Sequence, residues 1–184
     1  MPADRREARS AGLTERSCWL HPDLELGPSP IAGLGLFARA PISPGSVVAR
    51  VGGQLVSSEM LREIFAAASA QPDPPYIDTI MVAEDLHLIL PAGQLNHYGN
   101  HCCDPNLWWI DAYTLAARCP IGTGDEVTSD YGTSTGEVDF AMPCSCGSAL
   151  CRGTITGKDW RRDDLRARYQ DHWVPVLMKR IRQR

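Results

Sequence analysis

A mainly β fold of several small curved sheets, with a few short helices, is the class this sequence predicts. Three observations predict it. Short β-like runs recur along the chain: LGLFAR from Leu34, SVVARV from Ser46, HLIL from His87, LWWIDAY from Leu107, TLAARC from Thr114 and DEVTS from Asp125. Pro and Gly separate them at APISPG, LPAGQ, CPIGTGD and SDYGTSTGE, where the backbone has to turn. Only two stretches carry a helical apolar repeat. Many short strands with turns at such spacing argue for small sheets rather than one large one.

Of the two helices, one is expected over 59–69, with Ser57 or Ser58 as N-cap and Met60, Leu61, Ile64 and Phe65 on one face. The proline cluster QPDPPY stops it. The second begins near Asp159 and carries Trp160, Leu165, Tyr169, Trp173, Leu177 and Ile181 at roughly helical spacing. Pro175 should split it. Its eight Lys and Arg and its aromatic stripe suit either a solvated face over a packed one, or a dimer or docking helix.

At 184 residues the chain fits one domain with a real core. A net charge of -4 disfavours general nucleic-acid binding, which needs a basic surface. No apolar run reaches the length of a membrane span. The polar start MPADRREARSAG lacks the apolar core of a secretory signal, so an intracellular, cytoplasmic protein is expected, with a flexible segment over 1–20.

Seven cysteines in a reducing compartment point to metal ligation before disulfides. CSCGSALC places Cys144, Cys146 and Cys151 on one short loop. Three thiolates do not close a tetrahedral structural zinc site, and Cys103 in HCCDPN is the candidate for the fourth. Unliganded thiols and an iron–sulfur cluster are the alternatives, although the spacing matches no ferredoxin pattern. Cys102 reads as a core residue, and Cys18 and Cys119 as packed or half-exposed thiols. The stretch GLGLFA, Gly33 to Ala38, has the G-x-G-x-x-A form of a dinucleotide loop. It lacks the helix that would hold a pyrophosphate, because RAPISPG follows. A tight β-turn, or a backbone left open to a ligand, is the better reading.

Four elements in order resemble a SET-domain protein lysine methyltransferase with a post-SET zinc loop. They are GLG (Gly33–Gly35), NHCCDPN (Asn100–Asn106), GDEVTSDYG (Gly124–Gly132) and CSCGSALCRG (Cys144–Gly153). The resemblance implies a SET fold in which NHCCDPN and SDYG meet in a pseudoknot. It divides the chain into a SET domain over 21–140, a post-SET zinc loop over 141–156 and a C-terminal helical extension over 157–184. It implies S-adenosylmethionine as methyl donor, bound by Gly33, Leu34, Gly35, Leu36, Asn100 and His101, with Trp160 against the adenine. It implies Tyr131 as the catalytic tyrosine, a protein or peptide lysine as substrate, and a structural zinc on Cys103, Cys144, Cys146 and Cys151. Arg50, His97, Tyr98 and Ser129 depart from the family's pattern. Arg50 stands where an aromatic is expected near the active site, and Ser129 where an aromatic precedes the catalytic tyrosine by two residues. An Arg50 that blocked the lysine channel would favour a catalytically silent SET-like binding module.

Overall fold

The structure is a computed structural model that describes residues 17–75 and 77–184. Most of the segment expected to be flexible therefore lies outside the described residues. The β-like runs become four small antiparallel sheets. β1 (Trp19–Leu20), β4 (Val47–Arg50), β9 (Thr114–Ala117) and β8 (Leu107–Trp109) form the largest, in the order β1-β4-β9-β8. β2 (Leu24–Pro28) and β3 (Leu34–Ala38) form a hairpin, and β5 (Gln54–Ser57), β7 (Leu86–Ile89) and β6 (Thr79–Ala83) a three-stranded sheet. β10 (Ala141–Pro143) pairs with β11 (Thr154–Thr156). Val48 and Leu88, both fully buried, anchor the core between the sheets.

DEVTS does not form the expected strand. Its backbone is divided among several neighbours instead of one ladder. Val127 N–H donates to Leu36, Thr128 C=O accepts from Leu107, and Ser129 exchanges bonds with Asn100 and Cys102. Only isolated bridges remain, Phe37 to Glu126 and His101 to Ser129. LWWIDAY stops being strand at Trp109, where Asp111 accepts the Tyr113 N–H and turns the chain into β9.

Helix α1 (Ser58–Ser69) starts as expected, with the Ser57 side chain accepting the Met60 N–H. Its buried face is narrower than expected. Leu61 and Ala68 are buried, whereas Met60 and Phe65 are exposed, because the short β5–β7 platform covers only one stripe. Pro175 does split the C-terminal helix. A single 3-10 turn at Asp159–Arg161 leads into α2 (Asp163–Tyr169), and α3 (Pro175–Arg182) begins with its proline where a missing N–H does no harm.

Tyr169, Trp173 and Leu177 are buried in the domain's own core, with the Tyr169 and Trp173 rings edge to face at 5.6 Å. These three side chains are thus covered from within the chain. Among the described residues no helix is long and apolar enough to cross a membrane. Since Leu177 is fully buried, Leu177→Ala should lower the unfolding free energy by about 2–5 kcal/mol. Urea unfolding followed by circular dichroism measures this; a negligible change would show the extension to be only loosely attached.

Candidate active site and metal centre

The segment Gly99–Cys103 runs beside Ser129–Tyr131, and successive residues face different partners. Ser129 N–H donates to Asn100 C=O, and Cys102 N–H donates to Ser129 C=O. The Tyr131 N–H donates to His101 Nδ1 at 3.1 Å, and the Tyr131 hydroxyl donates to Gly99 C=O at 2.9 Å. Burial pushes the His101 pKa down to about 4, against the opposing pull of Asp130. The ring is therefore neutral at pH 7. With Nδ1 accepting from Tyr131, the proton sits on Nε2, 3.4 Å from Cys103 Sγ. The expected meeting of NHCCDPN and SDYG is therefore a set of bonds, not only a proximity.

Asn100 faces the β2–β3 hairpin. Its amide lies within donating distance of the Ala32 and Leu34 carbonyls, Ser29 Oγ and Glu126 Oε1. Ser29 Oγ lies 2.9 Å from both Glu126 carboxylate oxygens. Gly33 has φ +51° and open space where a Cβ would stand, which fits a backbone left uncovered for a ligand. Gly35 is different: a Cβ there would meet the Glu126 carboxylate, so this glycine makes room for Glu126. Leu34 is exposed, and the Leu36 side chain is buried in the core. GLGLFA forms a hairpin strand with no helix after it, which removes the dinucleotide reading.

A cavity of about 610 Å³ adjoins this junction, lined among others by Gly99, Ser129, Tyr131, Phe65, Ile77 and Asp78. Arg50 is not in its described lining. The guanidinium lies 5.1 Å from the centre of the Trp19 ring, and Arg50 C=O accepts from Asn96. Tyr98 packs against the core. Trp160 does not join Gly33–Leu36 and Asn100. Asp159 is tied to Thr156 and Arg152, and Trp160 after it lines a second pocket with Met81, Glu84 and Arg180, which shares Ser58 and Glu137 with the first cavity.

Cys103, Cys144, Cys146 and Cys151 place their four Sγ atoms within 4.8 Å of one another. The Cys103–Cys144 and Cys144–Cys151 sulfurs are 3.9 and 3.8 Å apart. Zinc–sulfur bonds of about 2.3 Å in a tetrahedron put sulfurs roughly 3.8 Å apart, so the donor set fits zinc. Backbone N–H groups already point at these sulfurs, from Arg152 to Cys103 and from Cys103 to Cys146. Burial holds the Cys103 and Cys144 thiols above their ordinary pKa; for Cys146, backbone N–H donors and the neighbouring thiols outweigh burial and bring it down to about 7. Cys102, expected in the core, is half-exposed: its sulfur accepts the Asp104 N–H and lies beside Cys146.

Asp130 joins the two sites. Its side chain has no exposed surface, and Arg152 grips it with two bonds of 2.6 and 2.7 Å. The Tyr169 hydroxyl on α2 donates to it at 2.8 Å, as does the Gly132 N–H at 2.9 Å. Burial followed by the Asp130 charge holds the Tyr169 hydroxyl protonated; burial works against the Arg152 charge, but Asp130 outweighs it. Arg152 Nε also lies 3.1 Å from Asp159, off the hydrogen-bond line. Glu126 and Arg152 stood inside the quoted motifs without a role, and Tyr169 was read only as an apolar stripe residue. Ser29 had no sequence signal beyond a turn.

Elemental analysis should find about one zinc per chain. Cys146→Ser should lose most of it and lower the melting temperature, because a structural metal supplies folding free energy. A metal-free protein with unchanged melting would rule the centre out.

A family model described as SET domain matches residues 33–132, more than half of the chain. The histone-lysine N-methyltransferase ash1 of Drosophila melanogaster is 27% identical over 145 residues, which cover 73% of this chain and 6% of that protein. The histone-lysine N-methyltransferase of Mycosarcoma maydis described as H3 lysine-4 specific is 31% identical over 140 residues, covering 70% of this chain and 9% of that protein. The chain thus spans less than a tenth of either relative. The crystal structure of the methyltransferase domain of human SETMAR, a histone-lysine N-methyltransferase, shares the fold at a TM-score of 0.59. It is 20% identical and covers 74% of this chain and 58% of that one. The matched span contains the hairpin glycines, the Asn100–Cys103 segment and the Asp130–Tyr131 pair that the fold draws together, and the chain belongs to the SET domain family.

Proposed function

We propose that this protein transfers a methyl group from S-adenosylmethionine to the ε-amine of a lysine in a protein substrate. One observation carries the reading: adjacent residues of a single segment serve two sites. Gly99 faces the cavity together with Tyr131, and Asn100 faces the open backbone of the hairpin. A donor held at Gly33–Leu36, Asn100 and His101 therefore lies next to a channel suited to a lysine. Leu36 contributes backbone only, and Trp160 is left out of the donor site.

When bound, S-adenosylmethionine supplies a methyl group on a positive sulfur, and the charge passes to the lysine nitrogen as the carbon–nitrogen bond forms and the carbon–sulfur bond breaks. The chain's part is to align, to dry the site and to present oxygens. The Tyr131 hydroxyl and the Gly99 carbonyl are those oxygens, fixed 2.9 Å apart. The neutral His101 ring holds the Tyr131 backbone, and Asp130 holds the turn after it. Cys103, Cys144, Cys146 and Cys151 hold a structural zinc in what reads as the post-SET loop over 141–156, between a SET domain over 21–140 and a helical extension over 157–184. Thiols gathered around a metal suit a reducing, intracellular compartment. The Arg50 guanidinium lies over the Trp19 ring and is not in the described lining of the cavity, which speaks against a silent binding module.

Core histones are the first substrates to try, because the similar proteins are named for histone lysines. Calorimetry should detect S-adenosylmethionine and not NAD. Tyr131→Phe should keep that affinity while transfer from labelled donor falls on the order of 10²-fold. Equal turnover in the Phe variant would reduce Tyr131 to a packing residue.

Ser129 shares the cavity with Tyr131 and is small, and neither Arg50 nor Tyr98 is in the described lining. More than one methyl group then fits on the nitrogen. Di- and trimethyl-lysine should accumulate at long times, and Ser129→Tyr should shift product toward monomethyl-lysine. Mass spectrometry of modified peptides decides it, and an unchanged product distribution would assign the limit to another wall.

A further inference from the structure

The cavity beside Tyr131 is lined by an aspartate that, among the described residues, forms no salt bridge. Its lining is largely apolar, with Leu61, Phe65, Ile77 and Phe140 among it, a suitable sheath for the methylenes of a lysine side chain. Asp78, just before β6, lies in the same lining. Removing a carboxylate from water is costly unless an opposite charge or several donors meet it.

Asp78 has little of either. Among the described residues it forms no salt bridge, and its support is the Thr79 N–H and the nearby His97 ring. His97 Nε2 is itself buried without a hydrogen-bond partner, so that ring is not drawn into another bond through this atom. The other titratable groups of the lining are engaged elsewhere. His87 contacts Ser58 at 2.8 Å and lies 3.6 Å from Glu137. Arg62 donates to Ser58 C=O at 3.1 Å, and Tyr131 donates to Gly99. Burial raises the Asp78 pKa from 3.8 to about 6, the response of a carboxylate that lacks a full counter-charge.

We propose that Asp78 is a specificity residue whose carboxylate is the counter-ion for the ammonium of the lysine side chain entering this cavity. The proposal rests on the methyl-transfer reading for the identity of the ligand. It is a binding role: the ion pair forms on entry, and the amine is neutral when it reacts. The signature therefore lies in KM rather than in kcat.

The test uses a short alanine–glycine peptide with a single lysine and its twin carrying norleucine, titrated into the full chain. The wild-type protein should prefer the lysine peptide by about tenfold, the lower end for a partly desolvated charge pair. Asp78→Asn should lose the preference and Asp78→Glu should restore most of it, with all three melting alike. Lysine-peptide binding should weaken as pH falls through about 6, because Asp78 gains a proton while the ammonium keeps its own. In the Asn variant that dependence should vanish.

No preference in the wild-type protein, or an equal preference in Asp78→Asn, overturns the proposal. With labelled donor and core histones, Asp78→Asn should raise KM about tenfold with a much smaller change in kcat. An unchanged KM overturns the proposal while leaving methyl transfer standing. A lysine preference that depends on Asp78, with no transfer by the wild-type protein, upholds the ion pair and removes the methyl-transfer reading instead.

Discussion

The buried carboxylate of Asp130 is the constraint on which the site depends. Two charges removed from water stabilise a fold only when the geometry is good and the remaining lone pairs are filled. Asp130 meets that condition through Arg152, the Tyr169 hydroxyl and the Gly132 N–H. Those partners come from the cysteine loop, from α2 and from the turn after Tyr131. Losing Arg152 leaves a charge unpaired in the interior, and losing either neutral donor leaves a lone pair of that charge unfilled. The residue next to Asp130 carries the hydroxyl that faces the cavity, so what fixes the carboxylate also fixes Tyr131.

The metal centre is part of the same constraint. Arg152 follows Cys151 directly; its N–H points at Cys103 Sγ and its guanidinium grips Asp130. Arg168 on α2 donates to Cys103 C=O at 2.8 Å. A loop without its metal frees Cys151 and thereby loosens the grip on Asp130. The coupling runs through two covalent neighbours and needs no long pathway. A structural zinc at these four thiols, as proposed above, would thereby steady Tyr131 without any catalytic duty of its own.

Much of this was legible where a motif fixes chemistry by spacing. Three cysteines on one loop require a fourth ligand, and the distances gather Cys103 to them. The Ser57 cap and the break at Pro175 follow from local backbone rules, and both hold. What failed were inferences that needed tertiary partners. DEVTS has the composition of a strand, but its N–H and C=O groups go to separate neighbours. The resemblance assigned Trp160 to an adenine; no local pattern shows that it lines a second pocket with Met81, Glu84 and Arg180. At Gly35 the sequence shows an open backbone but not that Glu126 occupies the space where a Cβ would stand. At DEVTS and Gly35 the deciding partners, Leu36, Asn100 and Glu126, lie far away along the chain, which no local pattern encodes.

Two aspartates show how one physical cost leads to opposite uses. Asp130 is fully buried and Asp78 half-buried, and desolvation disfavours the charged form of Asp78. Around Asp130 the fold supplies a guanidinium, a hydroxyl and an N–H, so the charge is satisfied internally and serves only to hold segments together. Around Asp78 it supplies one N–H and the nearness of a histidine, and the residue lines a cavity with no salt bridge among the described residues. A charge satisfied within the fold adds rigidity and little recognition. A charge left short of partners beside an apolar channel lowers its free energy most by receiving a cation on a long apolar stem, and a lysine side chain has that form.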